Sequence, residues 1–478
     1  MRLSRRWVVP AFVVPLLLAV AVIAALMLRP REAVGTPRPH VLLISLDTLR
    51  ADHLGCYGHV LDTSPFLDHL AGQGVRFHRV ISQSPKTAPS HMTMFTGFYP
   101  SVHGVHIEHR NGGSALLVPL GGERRTLTER LRDYGYRAAA WTGGGQVTAE
   151  LGFGRGFDEY REDFGGINAR KMEAVRDWFS ANSSDPCFMF VHTYQIHDPY
   201  VPPKPFNAVF DPDYTGWIVS ERRQLVAKAD GVGYENLHRV FWREGPGGID
   251  RSLFSDRDID HLKALYDGGI LYTDGVLRGF FEDLVRLGLL HNTLVIVTSD
   301  HGEEFLEHGG FLHEKLYRET LWVPLIMSFP GRLPAGRVVE HQVRLIDLAP
   351  TVLDVAGLAV PEEMQGRSLM FAVSGGERDR VAYSEEPWIH RKYHRSLRDG
   401  RYVLYDKRLD GVELYDARQD PSETRDLARE ETGILGRMEA EMGLFIDDAA
   451  RLRRGRVGRR QPADEGLLRR LRALGYVR

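Results

Sequence analysis

"HVLLISLD", His40 to Asp47, is an apolar run of strand length that ends abruptly in a carboxylate. Such a run suits a strand buried on both faces of an α/β sheet, with Asp47 at its C-terminal edge. Open α/β sheets carry their sites at that edge. The pattern recurs far downstream in "NTLVIVTSDHGEE", Asn292 to Glu304, where a β-branched run leads into Asp300-His301-Gly302. "YRAAAWTGG" and "PCFMFVHTYQIH" read as two further strands running into polar loops. Helical patterns lie between them, as in "TLTERLRDYG" and "DIDHLKALYDGGILYTDGVLRGFFEDLVRLG". This alternation predicts a doubly wound α/β fold with helices flanking a large mixed sheet. After about Gly357 the pattern changes to short strands and turns, "RSLRDGRYVLYDKRLDGVELYDARQDPSE". That predicts a smaller antiparallel sheet followed by a helix. Residues 202 to 256 fit no regular period and read as an insertion that roofs the site.

The 478 residues, 43% of them hydrophobic, suffice for one large domain with a smaller one attached. A net charge of −2 argues against a nucleic acid or other polyanion as partner of the whole chain. "WVVPAFVVPLLLAVAVIAALML", Trp7 to Leu28, carries no charge and is long enough to span a bilayer. Arg2, Arg5 and Arg6 precede it, so the N-terminus is expected in the cytoplasm and the catalytic domain outside it, on the periplasmic or extracellular side. A cleaved signal peptide is the alternative, but no clear A-x-A site follows the run. The expected organisation is a cytoplasmic tail over 1–6, a transmembrane signal-anchor over 7–28, and a linker over 29–38. A catalytic domain over 39–357, an antiparallel subdomain over 358–430 and a basic helical tail over 431–478 follow. Ten arginines against two acids from Arg451 onward read as a solvated helix or a contact with anionic lipid. Cys56 and Cys187 allow one disulfide, and the absence of C-x-x-C disfavours a thiolate zinc site.

Three segments bring oxygen and nitrogen donors to strand ends or adjoining loops: Asp47, the pair Asp300-His301, and "SQSPKTAPSHMTMFTGFYPSVHGV" with Thr87. Two carboxylates and an imidazole make a mixed O/N site for one divalent cation, Ca²⁺ first, with Mg²⁺, Mn²⁺ or Zn²⁺ as alternatives. A free alcohol is a poor nucleophile, and a neighbouring cation lowers its pKa. Thr87 and Ser90 are expected at the start of a helix, where N–H groups favour an anionic ester; helix capping is the bland reading of both. Asp267 and Asp274, seven apart on one helix face, read as structural.

The chain resembles the sulfatase family of the alkaline phosphatase superfamily over roughly residues 38 to 430. "ISLDTLRADHLGCYG" resembles the first metal-binding strand and loop, and "TAPSHMTMFTG" the signature C-x-P-S-R-x-x-x-x-T-G. "SDHGE" resembles the second metal-binding strand end, "ELYDARQDPSETRDL" the C-terminal motif, and "LRALGYV" a common ending of bacterial members. The resemblance implies Asp47, Thr87, Asp300 and His301 as metal ligands. It implies Thr87, His91, His197 and His313 as catalytic residues, and His197, His313 and Lys315 as contacts to an anionic ester of a glycan, lipid or small molecule.

Three positions depart from the pattern. Thr87 stands where the family has Cys or Ser, the residue oxidised to formylglycine, and threonine cannot become that aldehyde. His91 replaces the signature arginine, so a titratable group is expected beside the nucleophile. Asp47-Thr48 replaces a pair of aspartates. A threonine ester must be released by a second in-line attack, which suits phosphorus better than sulfur. The expected function is therefore a membrane-anchored, metal-dependent hydrolase of sulfate, phosphate or phosphonate esters. Transfer of a phospho group to a lipid or glycan acceptor, and silent binding of an anionic ligand, are the alternatives.

Overall fold

The computed structural model describes residues 38–110, 114–163, 165–221, 224–227, 235–236, 254–376, 378–386, 393–453 and 458–473. The apolar stretch Trp7–Leu28, with its flanking arginines, lies outside them. Among the described residues no helix is long and apolar enough to cross a membrane.

The large sheet has eight strands: β1 (His40–Leu46), β2 (Val75–Ile81), β3 (Arg137–Trp141), β4 (Glu159–Arg161), β5 (Cys187–Thr193), β6 (Thr293–Thr298), β7 (Trp322–Ser328) and β8 (Arg337–Arg344). Their order is β8-β2-β7-β6-β1-β5-β3-β4, and β7 alone runs against the rest. The central strands β5 and β6 are buried along their whole length, and β1 is buried at all but its first residue. Such strands read as continuous apolar runs because helices cover both faces.

The period-two alternation of β1 divides it between two cores. Val41 and Leu43 join one with α2 (Thr87–Thr96), α3 (Leu127–Asp133) and α6 (Leu348–Val355). Leu42, Ile44 and Leu46 join the other with α1 (Pro65–Gly72), α4 (Ala169–Asn182) and α5 (Asp256–Arg286). Helix starts are specified locally. Thr126 and Glu129 form a capping box on α3, and Ser255 and Asp258 form one on α5. Ser64 offers no side-chain cap to α1; Asp274 of α5 instead accepts the N–H groups of Phe66 and Leu67 at 2.9 and 2.8 Å.

The smaller antiparallel sheet has four strands, β9 (Ala382–Glu386), β10 (His394–Arg398), β11 (Tyr402–Asp406) and β12 (Val412–Asp416), in sequential order. Helix α7 (Thr432–Arg453) packs Met438 and Met442 into a core shared with Leu397, Leu404 and Leu414 of that sheet.

Three expectations need correction. The segment 202–256 is not without regular structure, since Ile218–Glu221, Gln224–Ala227 and Glu235–Asn236 form a small antiparallel sheet. The basic C-terminal stretch does not stand free as a solvated helix. Helix α8 (Glu465–Ala473) buries Leu467, Leu468 and Leu471 in the main core, and Gln461–Pro462 pairs with the strand Ser114–Val118. Arg460 and Arg470 are engaged by Glu108 and Glu162 at 2.7 and 3.0 Å. Cys56 and Cys187 form no disulfide; both are free thiols.

Candidate active site

Strand pairing alone brings the two carboxylates together. β1 and β6 pair in parallel with His40 opposite Thr293, and the same register carried seven residues onward sets Asp47 opposite Asp300. Both side chains are fully buried. Thr48 follows at φ +61, a left-handed conformation that is costly for a β-branched residue. It directs its N–H at Asp300 Oδ1, 3.3 Å away, while its hydroxyl donates to the Asp47 carbonyl at 2.7 Å. Strain of this kind gathers at functional sites.

The pairing of β1 with β5 sets His192 opposite Ser45. His192 therefore lies within β5 itself and not in the loop that follows it. Its Nδ1 accepts the Gly143 N–H at 3.2 Å, so Nε2 carries the proton and donates to Asp47 Oδ2 at 2.9 Å. Burial, with His197 nearby, depresses the His192 pKa to about 3, so the ring is a neutral donor at ordinary pH.

His301 is fixed the opposite way. Its Nδ1 donates to the Gly302 carbonyl at 3.0 Å, which turns the bare Nε2 toward Asp300 Oδ2 at 3.2 Å and Thr87 Oγ1 at 3.3 Å. Asp47 Oδ1 and Asp300 Oδ2 are buried and receive no hydrogen bond. Donor atoms of Asp47, Asp300 and His301 lie within 4.8 Å of one another. Burial pushes both carboxyls well above the usual range, and Asp47 raises Asp300 further. Lone pairs converging in a buried space repel unless a positive charge sits among them. The set fits a divalent cation.

Helix α2 closes the site. Thr87 is its first residue, and all ten of its residues are buried. Ser90 does not cap it. The Ser90 hydroxyl donates to the Asp300 carbonyl at 2.7 Å and bolts the helix to the strand end. His91 lies beside Thr87 and is held at both ring nitrogens. Its Nδ1 donates to the Thr87 carbonyl at 2.9 Å, and its Nε2 accepts from Ser45 Oγ at 2.9 Å. Burial, with His192 adding to it, holds the ring well below the usual histidine range.

His197 and His313 both reach the site, with ring centroids 5.3 Å apart and His313 4.4 Å from His301. His197 Nδ1 donates to the Asp198 carbonyl at 2.6 Å, and His313 Nδ1 to Glu303 Oε1 at 3.1 Å. Lys315 is directed elsewhere, to Glu304 Oε1 at 3.1 Å and the His308 carbonyl at 2.6 Å. The nearer cation is Lys86, immediately before Thr87, whose charge depresses His301 after burial has done so; it pairs with Glu314. A cleft of about 710 Å³, lined among others by Asn168, Tyr194, His197, Asp198 and Tyr272, opens beside His197. Sequence reasoning passed over Lys86, Glu303, Ser45 and the partnership of His192 with Asp47. The register of β1 against β5 was the signal for the last two, and it becomes visible only once those strands are aligned.

The sulfatase family model matches residues 39–358, and a model of the C-terminal part of N-sulphoglucosamine sulphohydrolase matches 306–442. Arylsulfatase K of Mus musculus is 24% identical over 488 residues, covering 90% of this chain and 85% of the relative. N-acetylglucosamine-6-O-sulfatase of Bacteroides thetaiotaomicron is 23% identical over 484 residues, with 84% of each chain covered. Among solved structures, a protein in complex with its substrate D-glucosamine-2-N,6-O-disulfate superposes with TM-score 0.69 at 20% identity, over 86% of this chain and 98% of the other. The phosphonate monoester hydrolase of Agrobacterium radiobacter superposes with TM-score 0.66 at 23% identity, over 86% and 96%. With a family model spanning most of its length, and the strand-end aspartates and Thr87 helix folded as described, the chain belongs to the sulfatase family and is a hydrolase of ester bonds.

Proposed function

We propose that the chain cleaves sulfate, phosphate or phosphonate esters with Thr87 as nucleophile and one divalent cation held by Asp47, Asp300, His301 and Thr87. The observation that carries this reading is the convergence of Thr87 Oγ1, the bare His301 Nε2 and the unpartnered oxygens of Asp47 and Asp300. Bound there, the cation supplies Lewis acidity and offsets the two carboxylates.

Thr87 Oγ1 attacks phosphorus or sulfur, and the bond to the leaving oxygen breaks as the new ester bond forms. The Thr87 proton ends on the leaving oxygen, relayed by His197 or His313. Their Nδ1 atoms donate to Asp198 and Glu303, which fixes each ring, and the proposed relay runs through Nε2. Water then attacks the Thr87 ester, returns a proton to Oγ1 and keeps its hydroxyl on the released group. Threonine has a single oxygen, so both steps are displacements at the same centre. This favours phosphorus over a sulfate monoester. The phosphonate monoester hydrolase among the structural neighbours and the glycan sulfatase among the relatives support the two ends of that range. The uncharged run Trp7–Leu28 supports an anchor that holds the catalytic domain outside the cytoplasm.

The test uses cation-loaded protein against aryl sulfate, aryl phosphate monoester, diester and phosphonate substrates. Thr87→Ala is expected to lower turnover by roughly a thousandfold or more, with Thr87→Ser keeping part of it. Rapid quenching traps phosphate or sulfate on the Thr87 peptide. An added acceptor alcohol that appears in the product marks transfer. Unchanged turnover in Thr87→Ala removes the nucleophile assignment, and no turnover by the parent protein leaves a silent anion binder.

A further inference from the structure

A second group of metal-type donors lies outside the site described above. His53 ends a 3₁₀ turn, Ala51–His53, in the loop after β1. A second turn, Gly55–Tyr57, closes on Gly58 at φ +102, a conformation open to glycine at little cost. That reversal folds His59 back over His53, with ring centroids 4.9 Å apart and planes inclined by 28°. Asp267 projects at both rings from α5. Its Oδ1 lies 2.6 Å from His53 Nδ1 and its Oδ2 3.4 Å from His59 Nε2. The side chains of His53 and Asp267 are 8% and 3% exposed, and that of His59 is 16% exposed.

The bland reading is a single His–Asp hydrogen bond, and it accounts for His53. It does not account for His59. His59 Nε2 is buried and makes no hydrogen bond, although a carboxylate oxygen faces it. One donor atom from each of the three residues falls within 4.8 Å of the others. Two ligands on a tetrahedral zinc sit about 3.3 Å apart, given zinc–nitrogen bonds of about 2.0 Å, so the 3.4 Å gap between His59 and Asp267 suits a shared ion, and the 2.6 Å contact of His53 with Asp267 has to open by less than an ångström to join it.

We propose that His53, His59 and Asp267 form a second metal site, selective for a zinc-class divalent cation. Two imidazoles and one carboxylate favour such an ion over Ca²⁺ or Mg²⁺, which prefer all-oxygen sets. The site shares no ligand with Asp47, Asp300 and His301, and it stands whether or not the proposed chemistry at Thr87 does. Its place in the fold defines its work. The Tyr266 hydroxyl donates to the Thr48 carbonyl at 2.8 Å and accepts the Arg50 N–H at 2.8 Å, so α5 already grips the start of this loop. A cation on the neighbouring Asp267 extends the grip to the loop's far end.

Metal-free full-length protein is given excess Zn²⁺, dialysed and assayed by elemental analysis. The Asp300→Ala protein is expected to retain one equivalent of zinc, and adding His59→Gln is expected to remove it. In the same Asp300→Ala protein loaded with Cu²⁺, electron paramagnetic resonance is expected to show coupling to two imidazole nitrogens, which His59→Gln abolishes. The single variant His59→Gln, whose partly open position leaves the core intact, is expected to bind one equivalent fewer than the parent. No zinc in Asp300→Ala overturns the proposal. So does equal zinc in the parent and His59→Gln, or a copper signal that His59→Gln leaves unchanged.

Discussion

His192 sets the orientation of Asp47 although it touches neither Thr87 nor His301 in the contacts described. Its proton is pinned on Nε2 because the Gly143 N–H occupies Nδ1, and it spends that proton on one Asp47 oxygen. The other oxygen is left to face Asp300. Replacing the ring by one of similar size without a donor, His192→Phe, is therefore expected to weaken cation binding by roughly 10–100-fold. His192→Gln, which keeps an N–H, is expected to recover part of the loss. Isothermal titration of the metal-free proteins reads both. The candidate ligands Asp47, Asp300 and His301 were legible in the sequence because each follows an apolar run. His192 was not. A histidine and a threonine after "FMFV" look like the polar end of a strand, and only the neighbouring Ser45 shows that the strand continues. Position 91 is hard to read for a related reason. Burial and the neighbouring His192 lower its pKa, and neither is visible in its local sequence.

Helix α1 is held at its start by a residue from another helix. Asp274 accepts two N–H groups there, yet burial outweighs those bonds and lifts its carboxyl to about 6 from 3.8. The folded protein thus keeps this proton to higher pH than the unfolded chain does. The group's contribution to stability is full below the free value and is lost as pH rises through about 6. Asparagine cannot ionise. Relative to the parent, Asp274→Asn is expected to gain about 2 kcal/mol of stability between pH 4 and pH 7, measured by denaturant unfolding at each pH. The sequence located α5 and gave Asp274 a structural role, but periodicity says nothing about which helix end an aspartate will meet. The central strands were readable for the opposite reason, since burial on both faces demands apolar residues throughout. The small sheet within 218–236 left no such trace, because short hairpin strands lack a long enough pattern to register.

Helix α8 joins the C-terminal end of the chain to the main core. Its leucines at 467, 468 and 471 follow helical spacing, but the surrounding arginines masked that spacing behind a charge pattern. Leu467 is fully buried, so Leu467→Ala is expected to cost about 2–5 kcal/mol. It should lower the thermal unfolding midpoint although the residue lies far along the chain from Asp47 and Thr87. An unchanged midpoint would mean that the tail packs too loosely to matter. The basic stretch is therefore cohesive at this helix, whatever its outward arginines attract.

The register that joins β1 to β6 also has a temporal meaning. Its partners, such as His40 and Thr293, are 253 residues apart in the chain. Contacts that distant form late in folding, because loop closure must precede any gain from them. Asp47 and Asp300 cannot meet before the ribosome has released most of the domain and the middle of the sheet has zipped. A growing chain therefore has no preformed pair of carboxylates, and the proposed cation can be held only after one of the longest connections in the sheet has closed.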